Sequence, residues 1–67
     1  MADKKGQSGR EVLFEITPLG GAVKVTAIDP ATGTEATIMG PMNAGEEMLK
    51  KNAVRKLVYL LKKKDEN

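Results

Sequence analysis

Apolar and polar residues alternate along three consecutive segments of the chain. In "VLFEIT" the apolar residues Val12, Phe14 and Ile16 recur at every second position, and "AVKVTAI" and "TEATIM" repeat this pattern. Alternation at a period of two is typical of a β-strand that buries one face. The pattern predicts three strands, at about residues 11–17, 22–28 and 34–39.

Segments rich in Gly and Pro separate the predicted strands. "PLGG" (Pro18–Gly21) offers a Pro with a preset φ and two glycines that accept positive φ, and "DPATG" (Asp29–Gly33) adds an Asp that accepts turn hydrogen bonds. Short turns of this kind predict two antiparallel hairpins. With Pro18–Gly21 as the first loop, the expected cross-strand pairs are Phe14 with Val25, Ile16 with Val23, Glu15 with Lys24 and, in the second hairpin, Val25 with Ile38.

After residue 43 the apolar spacing changes to three and four residues. At about 100° per residue, the apolar side chains of this segment gather into one wide arc, as in an amphipathic helix. Asn43 followed by Glu46 matches a capping box, and acidic residues precede basic ones as the helix dipole favours. These signals predict one helix at about residues 44–63.

The elements together predict an α+β fold of order β-β-β-α. It is a three-stranded antiparallel β-meander with one C-terminal α-helix packed on one face, formed by a single domain at residues 11–64. The polar segments 1–10 and 65–67 are predicted to be disordered tails. The predicted core comprises Val12, Phe14, Ile16, Val23, Val25, Ala27, Ala36, Ile38, Leu49, Ala53, Leu57, Leu60 and Leu61.

Composition narrows the possible chemistry. The 67 residues include no Cys and no His, which excludes disulfides, the usual structural zinc sites, haem ligation and imidazole acid-base chemistry. We therefore expect no metal and no cofactor. No apolar run approaches the roughly 20 residues that span a bilayer, and "MADKKGQSGR" lacks the apolar segment of a signal peptide. These features predict a cytoplasmic protein without a membrane partner.

Catalytic groups are sparse. Glu15 and Glu35 resemble a carboxylate pair, but the alternation places both on the outer face of the sheet, where no cleft is expected. Ser8 is the only Ser and has no base near it in sequence. The sequence therefore predicts a protein that is not an enzyme.

Positive charge is concentrated on the predicted helix. Residues 44–64 contain seven basic and two acidic side chains. One interpretation is a solvated helix face, and the other is a stripe that contacts the phosphates of duplex RNA or DNA. A single aromatic residue in the helix disfavours recognition of single strands by stacking. In the second interpretation the contact residues are Lys51, Arg55, Lys56, Tyr59, Lys62 and Lys63.

The outer face of the sheet offers a different surface. Apolar side chains lie there among threonines, and the first and third strands are free edges in a three-stranded meander. This combination favours a small non-enzymatic protein-interaction module, acting as a homodimer or as a small subunit of a larger assembly. The predicted interface residues are Leu13, Thr26, Ile28, Thr37 and Met39.

Three segments carry a resemblance to a known family. "GREVLFEI", "VKVTAIDPATGTEATIMGP" and "RKLVYLL" resemble a family of short uncharacterised alphaproteobacterial proteins, a domain of unknown function. The likeness covers roughly residues 9–62. It implies a bacterial cytoplasmic protein, and it brings no activity and no functional residues.

A weaker likeness concerns the start of the helix. "KKNAVRK" resembles the Lys-Lys-x-Ala-Lys motif of the double-stranded-RNA-binding domain, with Lys50, Lys51, Ala53 and Arg55 at the comparable places. Arg55 falls one place late, the basic residues begin inside the helix, and the leading helix of that domain is absent. The resemblance implies binding of duplex RNA through this helix.

Overall fold

The computed structural model describes residues 11–65 and contains the four predicted elements. Their bounds are β1 Leu13–Leu19, β2 Ala22–Asp29, β3 Thr34–Pro41 and α1 Glu46–Asp65, with a short 3-10 turn at Met42–Ala44. The strands form one antiparallel sheet in the order β1-β2-β3, and α1 packs against β2 and β3. The α+β fold of order β-β-β-α is confirmed.

The predicted tails fall largely outside the described part of the chain. Residues 1–10 and 66–67 lie outside the described residues, so the tail predicted at 1–10 is not addressed by the structure. Asp65, which the sequence assigned to the C-terminal tail, is the last residue of α1.

The first hairpin closes more tightly than the sequence predicted. Its turn is the two-residue Gly20–Gly21, and only Gly20 takes a positive φ, 62°, the pattern of a type II′ turn. Pro18 and Leu19 therefore join β1, and Leu19 pairs with Ala22. The predicted register was wrong by two residues, an even number that leaves every side chain on its predicted face. The observed pairs are Phe14 with Ala27, Glu15 with Thr26, Ile16 with Val25 and Thr17 with Lys24, whereas Val25 with Ile38 is confirmed.

The second hairpin turns around a buried Asp29. The Asp29 carbonyl accepts hydrogen bonds from the backbone N–H groups of Thr32 (3.3 Å) and Gly33 (2.8 Å). Its carboxylate accepts from the Ala31 N–H at 3.3 Å and from the Thr32 hydroxyl at 3.0 Å. Gly33 takes a φ of 75° to lead into β3. Asp29 thus fixes both ends of the turn, as the sequence predicted, and it does so while fully buried.

The helix begins two residues later than predicted. Asn43 lies in the 3-10 turn, and Gly45, with a φ of 91°, immediately precedes α1. The Gly45 carbonyl accepts a hydrogen bond from the Leu49 N–H at 3.2 Å, so Gly45 occupies the N-cap position. The predicted Asn43–Glu46 capping box was therefore wrong, because Gly45 allows a sharp change of direction at this point.

The core lies between α1 and two of the three strands. Half-buried residues surround it at Val12, Val23, Ile38, Ala44, Leu60 and Leu61. Phe14 and Ile16, which were predicted to be core, are instead 36% and 39% exposed, because α1 covers β2 and β3 and leaves β1 uncovered. The fully buried apolar residues are Val25, Ala27, Ala36, Leu49, Ala53 and Leu57.

Candidate interaction surface

Strand β1 is the most exposed element of the sheet. All seven of its residues are exposed, whereas β2 contains four buried residues. Apolar side chains project from both of its faces: Phe14 and Ile16 on the helix side, and Leu13 (47% exposed) and Leu19 (45%) on the outer side. Apolar exposure on both faces of an edge strand is typical of a surface that another strand covers.

The backbone of β1 also presents an open edge. In an antiparallel ladder, alternate residues direct both N–H and C=O to the neighbouring strand. Pro18 lies opposite Val23 and has no N–H for the ladder, so it belongs to the set that points away from β2. Ile16 and Phe14 follow at a spacing of two and point their backbone groups the same way. No strand within residues 11–65 pairs with this edge.

Two lysine side chains of α1 reach the opposite edge of the sheet. Lys56 Nζ donates a hydrogen bond of 2.9 Å to the Thr37 carbonyl of β3, and Lys64 Nζ donates one of 3.1 Å to the Thr34 hydroxyl. A lysine ammonium at a strand edge obstructs the approach of another strand. Within residues 11–65 the two edges of the sheet are therefore not equivalent, and β1 has the open edge.

The flank of α1 beside β1 extends this apolar surface. Lys50 Nζ lies 5.4 Å from the centroid of the Phe14 ring, which shows that this side of α1 faces β1. Val54 and Leu61 follow Lys50 by four and eleven residues, so they share that side of the helix and are half-buried. We call Phe14, Ile16, Val54 and Leu61 the β1 strip. It combines the helix side of β1 with the adjoining flank of α1.

The predicted outer-face interface does not form one continuous apolar patch. Leu13 and Ile28 are cross-strand neighbours, but Met39 lies opposite Lys24, which is four residues away from Ile28 along β2. Between them lies a polar row in which Thr26 Oγ1 is 3.0 Å from Thr37 Oγ1. Thr26 is only 6% exposed and offers almost no surface to a partner. The predicted interface on this face did not include the β1 strip, because Phe14 and Ile16 were assigned to the core.

The basic residues of α1 have different roles in the structure. All six predicted phosphate contacts are exposed. Lys56 is bound to the β3 edge, and Lys63 Nζ lies 5.8 Å from the centroid of the Tyr59 ring. Lys51, Arg55 and Lys62 lie on the side of α1 opposite Leu57, within about 40° of one another at 3.6 residues per turn. The outward cationic line is therefore narrower than the sequence predicted.

Groups for catalysis or metal binding do not converge in the described chain. Glu15 and Glu35 lie on β1 and β3 with β2 between them, which separates their backbones by more than about 10 Å at the usual strand spacing. Residues 11–65 contain no group of three or more acidic side chains that could hold a metal ion. Within the same range, no helix has both the length and the apolar character that are needed to cross a membrane.

Comparison with known proteins places the chain in a family. The model of the domain of unknown function DUF6898 matches residues 9–64. The chain belongs to the DUF6898 family. The expectation of a domain of unknown function is thereby confirmed, and the DUF6898 match spans β1, β2, β3 and nearly all of α1. No curated protein and no solved structure matches the chain.

Proposed function

We propose that this DUF6898 protein is a non-enzymatic interaction module that forms a homodimer by pairing β1 of one copy with β1 of another. The observation that carries the proposal is the difference between the two sheet edges. β1 is exposed on both faces along seven residues, while Lys56 and Lys64 occupy the β3 edge. Pairing of two β1 strands extends two three-stranded sheets into one of six strands.

A second copy suits this edge for two physical reasons. Antiparallel pairing of a strand with its own copy is self-complementary about a two-fold axis, the commonest symmetry of soluble oligomers. The pairing also satisfies backbone groups and covers apolar side chains that a domain of this size cannot bury alone. Because each copy contributes a strand of only seven residues to the contact, we expect weak association, with a dissociation constant on the order of 10 μM to 1 mM.

Sedimentation equilibrium from dilute to millimolar protein tests the proposal. We expect a reversible monomer–dimer equilibrium in the wild-type protein. Ile16→Lys places a charge in the β1 strip and is expected to abolish the dimer. Met39→Lys is the matched control, because Met39 is also an exposed apolar residue but lies on the outer face of β3. A wild-type protein that stays monomeric at millimolar concentration, or equal loss in both variants, would overturn the proposal.

The origin and the cellular location implied by the family resemblance form part of the same proposal. The resemblance noted in the sequence supports a bacterial, alphaproteobacterial origin and a cytoplasmic location. Fractionation of the source cells, with detection by an antibody against the chain, tests the location. Recovery in the membrane or periplasmic fraction would contradict it.

A second candidate function is binding to the phosphate backbone of duplex RNA or DNA. It is supported by the alignment of Lys51, Arg55 and Lys62, which make no hydrogen bond or ion pair within the part of the chain that the structure describes. Three phosphate contacts predict a slope of about −3 for the logarithm of affinity against the logarithm of salt concentration on duplex DNA. Sequence preference is expected to be slight, because these side chains contact phosphate and not base edges.

Titration of labelled duplexes and single strands at low salt tests this candidate. The double variant Arg55→Glu, Lys62→Glu is expected to lose binding and to keep its fold, because both side chains point away from the core. Lys24→Glu, on the outer face of the sheet, is the control, because it makes the same charge reversal as each of the two substitutions but away from the cationic line. Absence of binding below about 100 μM for every nucleic acid would identify the cationic line as a solvated face.

A further inference from the structure

The charges and the proline of β1 restrict how two copies can pair. In antiparallel pairing about a two-fold axis, one residue lies opposite its own copy, and this residue fixes every other pair. The axis can pass at any residue of β1, and each position of the axis produces a different set of cross-strand pairs. This inference rests on the proposed homodimer and concerns its register.

An axis at Ile16 is disfavoured by Pro18. It would place Pro18 opposite Phe14 of the other copy, in a position where both backbones should exchange hydrogen bonds. Pro18 has no N–H to donate, and its ring occupies the space that the partner carbonyl needs. An axis at Thr17 has the same defect, because it places Pro18 opposite Ile16.

Axes at Glu15 and Leu13 are disfavoured by charge. An axis at Glu15 sets the two Glu15 carboxylates directly opposite each other in the closer type of cross-strand pair. An axis at Leu13 sets Glu11 opposite Glu15 twice. Like charges in directly opposite positions destabilise a sheet.

An axis at Phe14 avoids both defects in a ladder formed by residues 11–17, because Pro18 then lies beyond the last pair. It pairs Phe14 with its own copy and Val12 with Ile16 on the helix side, so the apolar side chains of the two copies meet on one face. On the outer side it pairs Leu13 with Glu15 and Glu11 with Thr17, and no like charges lie directly opposite. The Lys50 Nζ atom, which is close to the Phe14 ring, lies 3.7 Å from Glu46 Oε2. The Glu46 carboxylate therefore offsets the positive charge of Lys50 near the axis.

We infer that the homodimer pairs β1 with β1 about a two-fold axis at Phe14, forming a continuous apolar contact of Val12, Phe14 and Ile16 across the two copies. Because the natural chain has no Cys, single-Cys variants report this register without interference. Outer-face residues of β1 belong to the closer cross-strand pairs, whose Cα separation of about 4.5 Å falls within the range of disulfides.

The experiment mixes Thr17→Cys, as a fixed probe, with one second variant at a time and oxidises each mixture. Glu15 stays intact in the first two mixtures, so its repulsion is preserved. An axis at Phe14 predicts a mixed disulfide with Glu11→Cys, an axis at Glu15 predicts one with Leu13→Cys, and an axis at Ile16 predicts one with Glu15→Cys. Mass spectrometry separates mixed from symmetric disulfides, because each variant has its own mass.

We expect the Glu11→Cys mixture to give at least about ten times more mixed disulfide than the Leu13→Cys mixture, because only correctly apposed pairs meet the disulfide geometry. A maximum with Leu13→Cys or Glu15→Cys would overturn the register while leaving the β1 dimer in place. Equal or absent cross-linking in a protein that sediments as a dimer would overturn β1 as the interface. A protein that sediments as a monomer would instead overturn the proposed function.

Discussion

At the residue scale, Gly40 determines how closely α1 approaches β3. A Cβ added at Gly40 would overlap the side chain of Leu49, which is only 5% exposed. We expect Gly40→Ala to lower the free energy of unfolding by about 1–3 kcal/mol, the usual cost of overpacking a core. Urea denaturation measures this change. Gly21→Ala is the control, since a Cβ there meets nothing within 4 Å, and equal stability of the two variants would contradict the explanation.

The carboxylate of Asp29 makes the second prediction at this scale. Asp29→Ala removes a buried carboxylate that accepts hydrogen bonds from the Ala31 N–H and the Thr32 hydroxyl of an otherwise exposed turn. We expect a loss of about 1.5–3 kcal/mol in the free energy of unfolding, the usual contribution of hydrogen bonds to a carboxylate. Glu35→Ala removes an exposed carboxylate from the neighbouring strand and is expected to stay within about 0.5 kcal/mol of wild type. Similar losses in both variants would show that the turn contacts contribute little.

The face on which a strand residue lies and the role of a turn residue were predicted correctly, because both depend on neighbours in the sequence. The period of two assigned each strand residue to its correct face, and the turn chemistry of Asp29 was recognised in "DPATG". Burial was harder to predict. Phe14 and Ile16 share the face of Val25, but a helix about 10 Å wide covers only about two strands at a spacing of 4.8 Å. The pattern along the chain does not indicate which strands those are.

At the scale of elements, the sequence predicted the number, type and order of elements, and it missed the details of their ends. "PLGG" is compatible with a two-residue or a four-residue loop, and the choice changes the register by two residues. Pro18 was assigned to the turn, although an edge strand tolerates a Pro whose nitrogen points outward. The start of α1 was similarly ambiguous, because Asn43 and Gly45 are both common N-cap residues.

Lys56 connects two elements and makes a prediction at this scale. Lys56→Met removes the ammonium that binds the Thr37 carbonyl, so the edge of β3 opens while that of β1 stays open. A protein with two open edges can add strands on both sides, and we expect species larger than a dimer at about 0.5 mM protein. Light scattering coupled to size-exclusion chromatography measures the mass.

The control for this change is Lys51→Met, which removes the same charge from an exposed position on the outward side of α1. It is expected to keep the mass distribution of the wild-type protein. Larger species in both variants would attribute the association to added apolar surface, and not to the opened β3 edge. The comparison therefore separates edge protection from a general loss of charge.

At the scale of the whole molecule, one helix on a three-stranded sheet leaves part of the apolar surface uncovered. From the sequence, the type of interaction at the candidate surface could be predicted, but not the residues that form this surface. Free edges and scattered apolar residues indicated self-association, but the expected patch of Leu13, Ile28 and Met39 is interrupted by the Thr26–Thr37 row. The β1 strip became visible only once the position of α1 over β2 and β3 was known, because that position depends on packing between distant segments.

The proposed dimerisation through this surface links stability to protein concentration. A partner that binds only the folded chain raises the free energy of unfolding by about 1.4 kcal/mol when its concentration is ten times the dissociation constant. For a domain of this size that gain corresponds to an increase in Tm of about 5–10 °C. Calorimetry from about 20 μM to 1 mM is therefore expected to show a rising Tm for the wild-type protein. Ile16→Lys should show a constant Tm over the same range, and a constant Tm in both proteins would mean that covering β1 contributes nothing to the folded state.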